Sequence, residues 1–123
     1  MRRLDRVIPY FQAIFSADSH LVIGYEVLGR LQTDAGAQSL GPFFHDPAVP
    51  DAWKMTVDRR IQTLALETFT QSTDGVALFM NVSANHLMIG EDEWIRQLAA
   101  WRDRGLSLNR LVFEITEHDF HGD

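Results

Sequence analysis

Apolar and polar positions set out a chain that changes period several times. Val7 to Phe15 (Val-Ile-Pro-Tyr-Phe-Gln-Ala-Ile-Phe) reads as a strand, and Pro9 near its start suits a strand beginning or an edge. Gln12 is its one polar interruption. A short polar turn, Ser16 to Ser19, leads to a second strand over Leu21 to Leu31. Two strands joined by so short a loop must pair antiparallel. Residues 32–50 read as a loop, because three prolines and two glycines forbid a long regular element. The period then becomes helical. Met55, Val57, Ile61, Leu64, Ala65 and Phe69 form a stripe that starts at a candidate N-cap, Asp51, and runs to about Thr70. Val76 to Val82 is a third strand, apolar on both faces as a buried parallel strand should be. A second helix opens at Gly90-Glu91-Asp92, buries Trp94, Ile95, Leu98, Ala99 and Trp101, and stops at Gly105 as its C′ residue. Leu111 to Thr116 is a fourth strand, followed by a polar tail, Glu117 to Asp123. A hairpin followed by two helix–strand units predicts an α/β fold with a parallel sheet.

Composition narrows the function classes. At 123 residues there is room for one small domain. No apolar run approaches the roughly 18–20 residues of a membrane helix, so no membrane segment is expected. Cysteine is absent, which excludes disulfides and thiolate metal sites and fits a cytoplasmic location. The net charge is −6: residues 1–60 carry seven basic and seven acidic groups, residues 61–123 four and ten. Without a basic patch, DNA and RNA are not expected partners. A phosphate ligand would depend on a local arginine or on metal ions.

Three oxygen-bearing residues break apolar runs at or near strand ends: Glu26, Asn81 and Glu114. Alternation puts Glu26, Leu28 and Arg30 on one strand face. Two carboxylates and an amide suit a hard divalent cation, and an arginine on the same face suits a phosphate beside it. Each residue also has a plainer reading. Glu26 and Arg30 could be a structural ion pair, Asn81 the Asx turn that ends a strand, and Glu114 a satisfied buried acid. His118 and His121, spaced i, i+3, read as solvated loop residues, and Asp58 carries no assigned chemistry.

Four segments carry a resemblance. Tyr10-Phe11-Gln12-Ala13-Ile14, Gly24-Tyr25-Glu26-Val27-Leu28-Gly29-Arg30, Met80-Asn81-Val82-Ser83-Ala84 and Arg110-Leu111-Val112-Phe113-Glu114-Ile115-Thr116-Glu117 resemble, in order and spacing, the motifs of EAL domains. These are bacterial phosphodiesterases and receptors for cyclic di-GMP. The signature triplet stands here as Glu26-Val27-Leu28, with Val in place of the usual Ala. Leu40-Gly41-Pro42-Phe43-Phe44 and Glu117-His118-Asp119-Phe120 look like the YkuI-type branch found in bacilli. The resemblance implies a (β/α)8 TIM-like barrel with an antiparallel first strand. It implies Glu26, Asn81 and Glu114 as metal ligands, Mg²⁺ or Mn²⁺ as cofactor, and Ca²⁺ as an inhibitory substitute. Gln12, Leu28 and Arg30 would contact the substrate, and Glu117 would brace a loop. Active members open cyclic di-GMP to linear pGpG. The family's later motifs, including its paired aspartates, have no match here. The residues that activate water would lie beyond Asp123, so no catalytic residue is assigned within the chain. Residues 1–123 are therefore expected to be the N-terminal half of the domain, truncated and inactive alone. The open sheet edges would be covered by the rest of the barrel or by a second copy in a homodimer. A catalytically weak receptor and a non-binding fragment are the alternatives, the first suggested by Val27 and by the YkuI-like branch.

Overall fold

The structure is a computed structural model that describes residues 4–72, 75–83 and 91–116. A 3-10 turn, Leu4–Arg6, leads into β1 (Val7–Phe15), which pairs antiparallel with β2 (Val22–Thr33) along its whole length. Then come β3 (Gly36–Ser39), the single-turn helix α1 (Gly41–Phe44), α2 (Asp51–Thr70), β4 (Ala77–Ser83), α3 (Glu91–Asp103) and β5 (Leu111–Thr116). The sheet order is β1-β2-β4-β5, with β4 parallel to β2 and β5 parallel to β4. This is a mixed, open, TIM-barrel-like sheet with an antiparallel first strand, as expected, and β1 and β5 are its edges.

Residues 32–50 are more ordered than their proline and glycine content predicts. β2 runs on to Thr33 and turns back through Asp34-Ala35 into β3. Thr33 Oγ1 accepts from the Ala35 amide (3.2 Å) and donates to the Gly36 carbonyl (2.8 Å), and Gly36 has a φ of 107°. The prolines sit where they do no harm: Pro42 lies in the first turn of α1, and Pro50 caps α2, so Asp51 is its first helical residue instead of its cap.

One face of the sheet packs on the helices and forms the core. It carries Val7, Val27, Leu78 and Met80, which meet Val57, Ile61, Ala65, Leu66 and Phe69 of α2. The α2 stripe departs from the predicted one in an instructive way. Lys54 lies on it and is fully buried, whereas Met55 and Leu64 are only partly covered. Two arginines tie helix to sheet. Arg60 donates from Nε to the Val7 carbonyl (3.0 Å). Arg110 donates to the carbonyls of Val76 (3.0 Å) and Ser72 (3.2 Å), with its guanidinium 4.1 Å above the Phe69 ring.

α3 ends as the sequence predicts. Gly105 takes a φ of 104°, its amide bonds Arg102 O, and the Leu106 amide reaches back to Trp101 O, which together make a Schellman motif. Leu106 is buried beside Trp101 in the core. Trp94 packs edge-on against Phe113 of β5 at 5.0 Å. Ile95, predicted on the buried side, is instead exposed. It lies about 100° around the helix from Trp94, off the line through Leu98 and Trp101. Ile115, at the sheet edge, is exposed as well.

Candidate functional site

The register settles which side chains share a face. Gln12 is opposite Glu26, Tyr10 opposite Leu28, and Ile8 opposite Arg30. Across the parallel ladder Glu26 pairs with Phe79, and two residues on Asn81 pairs with Glu114. Since paired residues point to the same side and side chains alternate, Gln12, Glu26, Leu28, Arg30, Asn81 and Glu114 all lie on the face turned away from the helices. All six residues proposed for metal or substrate are thus brought to one surface by four strands. Glu117, along with His118, His121 and the rest of the tail to Asp123, lies outside the described residues.

The face is stepped. Asn81 and Glu114 are one strand spacing apart, about 5 Å between backbones. Glu26 is one strand over and two residues lower, so its Cα is about 8 Å from that of Asn81. Arg30 stands four residues, about 13 Å, above Glu26 at the rim. Gly24 makes room at the floor. The Phe79 ring lies over its backbone, so that a Cβ there would sit 2.7 Å from Phe79 Cε1 and 2.8 Å from the Ala77 carbonyl oxygen.

β2 and β4 part company inside the site. Their ladder ends at Glu26–Phe79, whereas β4 stays paired with β5 to Ser83 and β2 goes on to pair with β3 from Arg30. The result is a fork, with Glu26 at its base, Leu28 and Arg30 on one arm and Asn81 on the other. Clefts at the C-terminal ends of parallel strands, where neighbouring strands diverge, are where α/β sheets bind ligands.

Glu26 and Arg30 form no ion pair with each other among the described residues; Arg30 Nη1 instead donates to its own neighbour, Gly29 O, at 2.8 Å. Asn81 and Glu114 are exposed and Glu26 is partly so, which leaves the plainer reading of Glu114 as a buried acid without support. Among the described residues no three His, Cys, Asp or Glu side chains cluster as a metal site. The oxygen set at the fork has two carboxylates and an amide. Those donors fit a hard divalent cation, and their spacing leaves coordination positions for other ligands.

Lys54 escaped the sequence reading, which assigns Asp58 no chemistry. Lys54 lies fully buried in an otherwise apolar stripe. Asp58, one turn further on, accepts from Gln62 Nε2 at 2.9 Å, and burial pushes its carboxyl up to about 7, with Arg59 opposing. A signal existed: residues 54, 57, 58 and 61 share one helix face, so a lysine and an aspartate had to be carried into the packed side. Both lie on the helix side of the sheet, away from the fork.

The model of the EAL domain matches residues 1–123, the entire chain. The chain belongs to the EAL domain family. A relative from Bacillus subtilis (strain 168), described as the uncharacterized EAL-domain containing protein YkuI, is 46% identical over 124 residues. The match takes in 100% of this chain and 30% of that protein, so the chain spans about a third of the curated relative's length. The crystal structure of that YkuI protein, with cyclic di-GMP described as substrate and calcium bound, superposes with a TM-score of 0.84 over 98% of this chain and 30% of that one. An EAL domain protein from Listeria monocytogenes EGD-e shares the fold, with a TM-score of 0.67 at 21% identity over 94% of this chain and 46% of that one. So does Klebsiella pneumoniae BlrP1, with 0.70 at 20% identity over 91% and 27%.

The EAL triplet has a different meaning once placed. Glu26 and Leu28 face the fork, but Val27 is buried in the core against the helices. The change from Ala to Val therefore alters packing on the helix side of the strand and touches nothing on the face turned to the fork. No helix among the described residues is long and apolar enough to cross a membrane.

Proposed function

We propose that this EAL chain supplies one wall of a cyclic di-GMP site whose whole domain hydrolyses the ligand to linear pGpG, the chain by itself being inactive. The observation that supports this most is the alignment of Glu26, Asn81 and Glu114 on one face around the fork, with Arg30 at its rim. Glu26, Asn81 and Glu114 would hold Mg²⁺ or Mn²⁺, which when bound polarises a phosphodiester and makes a bound water acidic enough to attack it. Ca²⁺, found with YkuI, would occupy the same oxygens. The chain's own groups then orient the ligand. Arg30 presents its remaining guanidinium donors to a phosphate oxygen while its bond to Gly29 O fixes the side chain. Leu28 offers an apolar surface to a base, and Gln12, across from Glu26, offers a neutral donor and acceptor. Val27 is buried on the helix side of β2 and so lends a catalytically weak receptor no support, while the likeness to YkuI keeps that receptor as the alternative to hydrolysis.

The test is a thermal melt followed by far-ultraviolet circular dichroism, with cyclic di-GMP and Ca²⁺, beside a turnover assay with Mg²⁺ on the product of the whole reading frame. A ligand that binds the folded state raises the melting temperature by mass action. Turnover that disappears in Glu26→Ala is expected. Turnover unchanged by that substitution, or binding without any hydrolysis, would overturn the catalytic reading.

A further inference from the structure

On the reading just given, we infer that Tyr10 is a base-stacking residue of the nucleotide site, so that Arg30 and Tyr10 together grip one nucleotide by its phosphate and its base. Three observations converge. Tyr10 lies directly opposite Leu28 in the β1–β2 ladder, and so on the ligand face beside Gln12. It is 44% exposed, although a tyrosine on a sheet face gains by being covered. The Arg30 guanidinium carbon stands over its ring at 6.0 Å, the outer limit of a cation–π contact, close enough to attract but too far to seal the face.

The chemistry of a nucleotide matches this corner. A nucleotide joins an anion to a flat aromatic surface, and the corner sets a guanidinium beside an open ring. Leu28, next to Tyr10, widens the flat area for a purine. Arg30 draws the phosphate, while stacking on the ring takes the base out of water, and proteins use aromatic rings and guanidinium planes for unstacked bases in this way. Glu26 and Asn81 stay clear on the fork side of Leu28, so the base wall and the oxygen ligands do not compete for space. Tyr10 is thus a binding residue that reads the base, separate from the groups that would hold the cation.

The experiment is isothermal titration of cyclic di-GMP in saturating Ca²⁺ into the product of the whole reading frame, for the parent, Tyr10→Phe, Tyr10→Leu and Tyr10→Ala. Stacking on a protein ring gives an expected loss of about tenfold to a hundredfold for Tyr10→Ala. Tyr10→Phe should keep most of the affinity and Tyr10→Leu should fall between them. Melting temperatures without ligand should stay close to the parent's, which a merely structural role would not allow. If Tyr10→Ala fails to fold, the comparison of Tyr10→Leu with Tyr10→Phe decides in its place. A parent that binds while the Leu and Ala variants bind as tightly overturns the inference and leaves the proposed function standing. Loss in Tyr10→Phe as large as in Tyr10→Ala overturns it too, because the hydroxyl and not the ring would then be responsible. A parent that does not bind cyclic di-GMP removes the proposed function, and this inference with it.

Discussion

Gly24→Ala should destabilise the domain, and the neighbours show by how much. The new Cβ would stand 2.7 Å from Phe79 Cε1, 2.8 Å from the Ala77 carbonyl oxygen and 3.1 Å from Phe79 Cδ1. The oxygen belongs to the backbone of the paired strand and cannot swing aside without loosening the β2–β4 ladder, which is short already. Overpacking of this kind costs about 1–3 kcal/mol. Gly24 is not among the positive-φ glycines, so alanine fits its backbone, and lower entropy in the unfolded chain returns about 0.4–1 kcal/mol. The net expectation is a loss of about 1–2 kcal/mol, or roughly 4–8 °C in melting temperature for a domain of this size. Gly29→Ala is the internal comparison. Its Cβ would come closer still to a neighbour, 2.5 Å from Ile61 Cδ1, but that atom and Leu40 Cδ1 at 3.1 Å are side-chain tips that can rotate away. Urea and thermal melts of both variants should therefore rank Gly24→Ala as the worse, against the order of the shortest distances. A Gly24→Ala protein as stable as the parent would mean that the Phe79 ring does not lie on β2 and that the floor of the site is built otherwise.

Asp58 gives a pH dependence with a definite sign. Its folded pKa, raised by burial from 3.8 to about 7, favours the neutral acid, so its contribution is complete below 3.8 and is lost as the pH rises through about 7. Stability measured by urea melts should fall across that window, and Asp58→Asn, which can still accept from Gln62, should flatten the fall; a parallel slope in the variant would refute the assignment. Gly105→Ala places a side chain at a φ of 104° in the Schellman motif and should cost about 1–2 kcal/mol in the same melts. Arg110→Met keeps an unbranched apolar stem but deletes the donors to Val76 and Ser72 and the guanidinium over the Phe69 ring. It should lower the melting temperature measurably, and an unchanged value would show that these bonds are replaced by water. Arg30→Ala should weaken cyclic di-GMP binding by at least tenfold, about the value of one charged hydrogen bond, with no fall in ligand-free stability.

The periodic parts of the fold were legible because burial imposes period. β1, β5 and α2 begin and end within a residue or so of where alternation and the Val57–Ile61–Ala65–Phe69 stripe place them. The candidate site residues Glu26, Asn81 and Glu114 were visible for the same reason in reverse, since they stand out only against apolar strands. β3 and α1 were hidden because short elements held by a side-chain bond such as Thr33 to Gly36 have no period to read. Lys54 was missed because its long stem can lie within packing that its charge suggests it should avoid. Alternation alone puts Tyr10 on the face of Gln12, but nothing in an aromatic residue within an apolar strand marks it for a role.

The fork between β2 and β4 has a consequence for timing. Its two arms carry the proposed anchors, yet no ladder joins them above Glu26 and Phe79. The distance from Leu28 to Asn81 is set by each arm's outer partner, β1 on one side and β5 on the other, while β3 takes the fork-side edge of β2 from Arg30 onward. A ligand that bridges the arms would act as the missing rung, closing a hinge that the backbone leaves open. Amide hydrogens of residues 27–29 and 80–82 should then exchange with solvent more slowly when the site is filled, even though none of them need touch the ligand. Opening and closing of the arms, not diffusion to an exposed face, would govern how fast the bound molecule leaves.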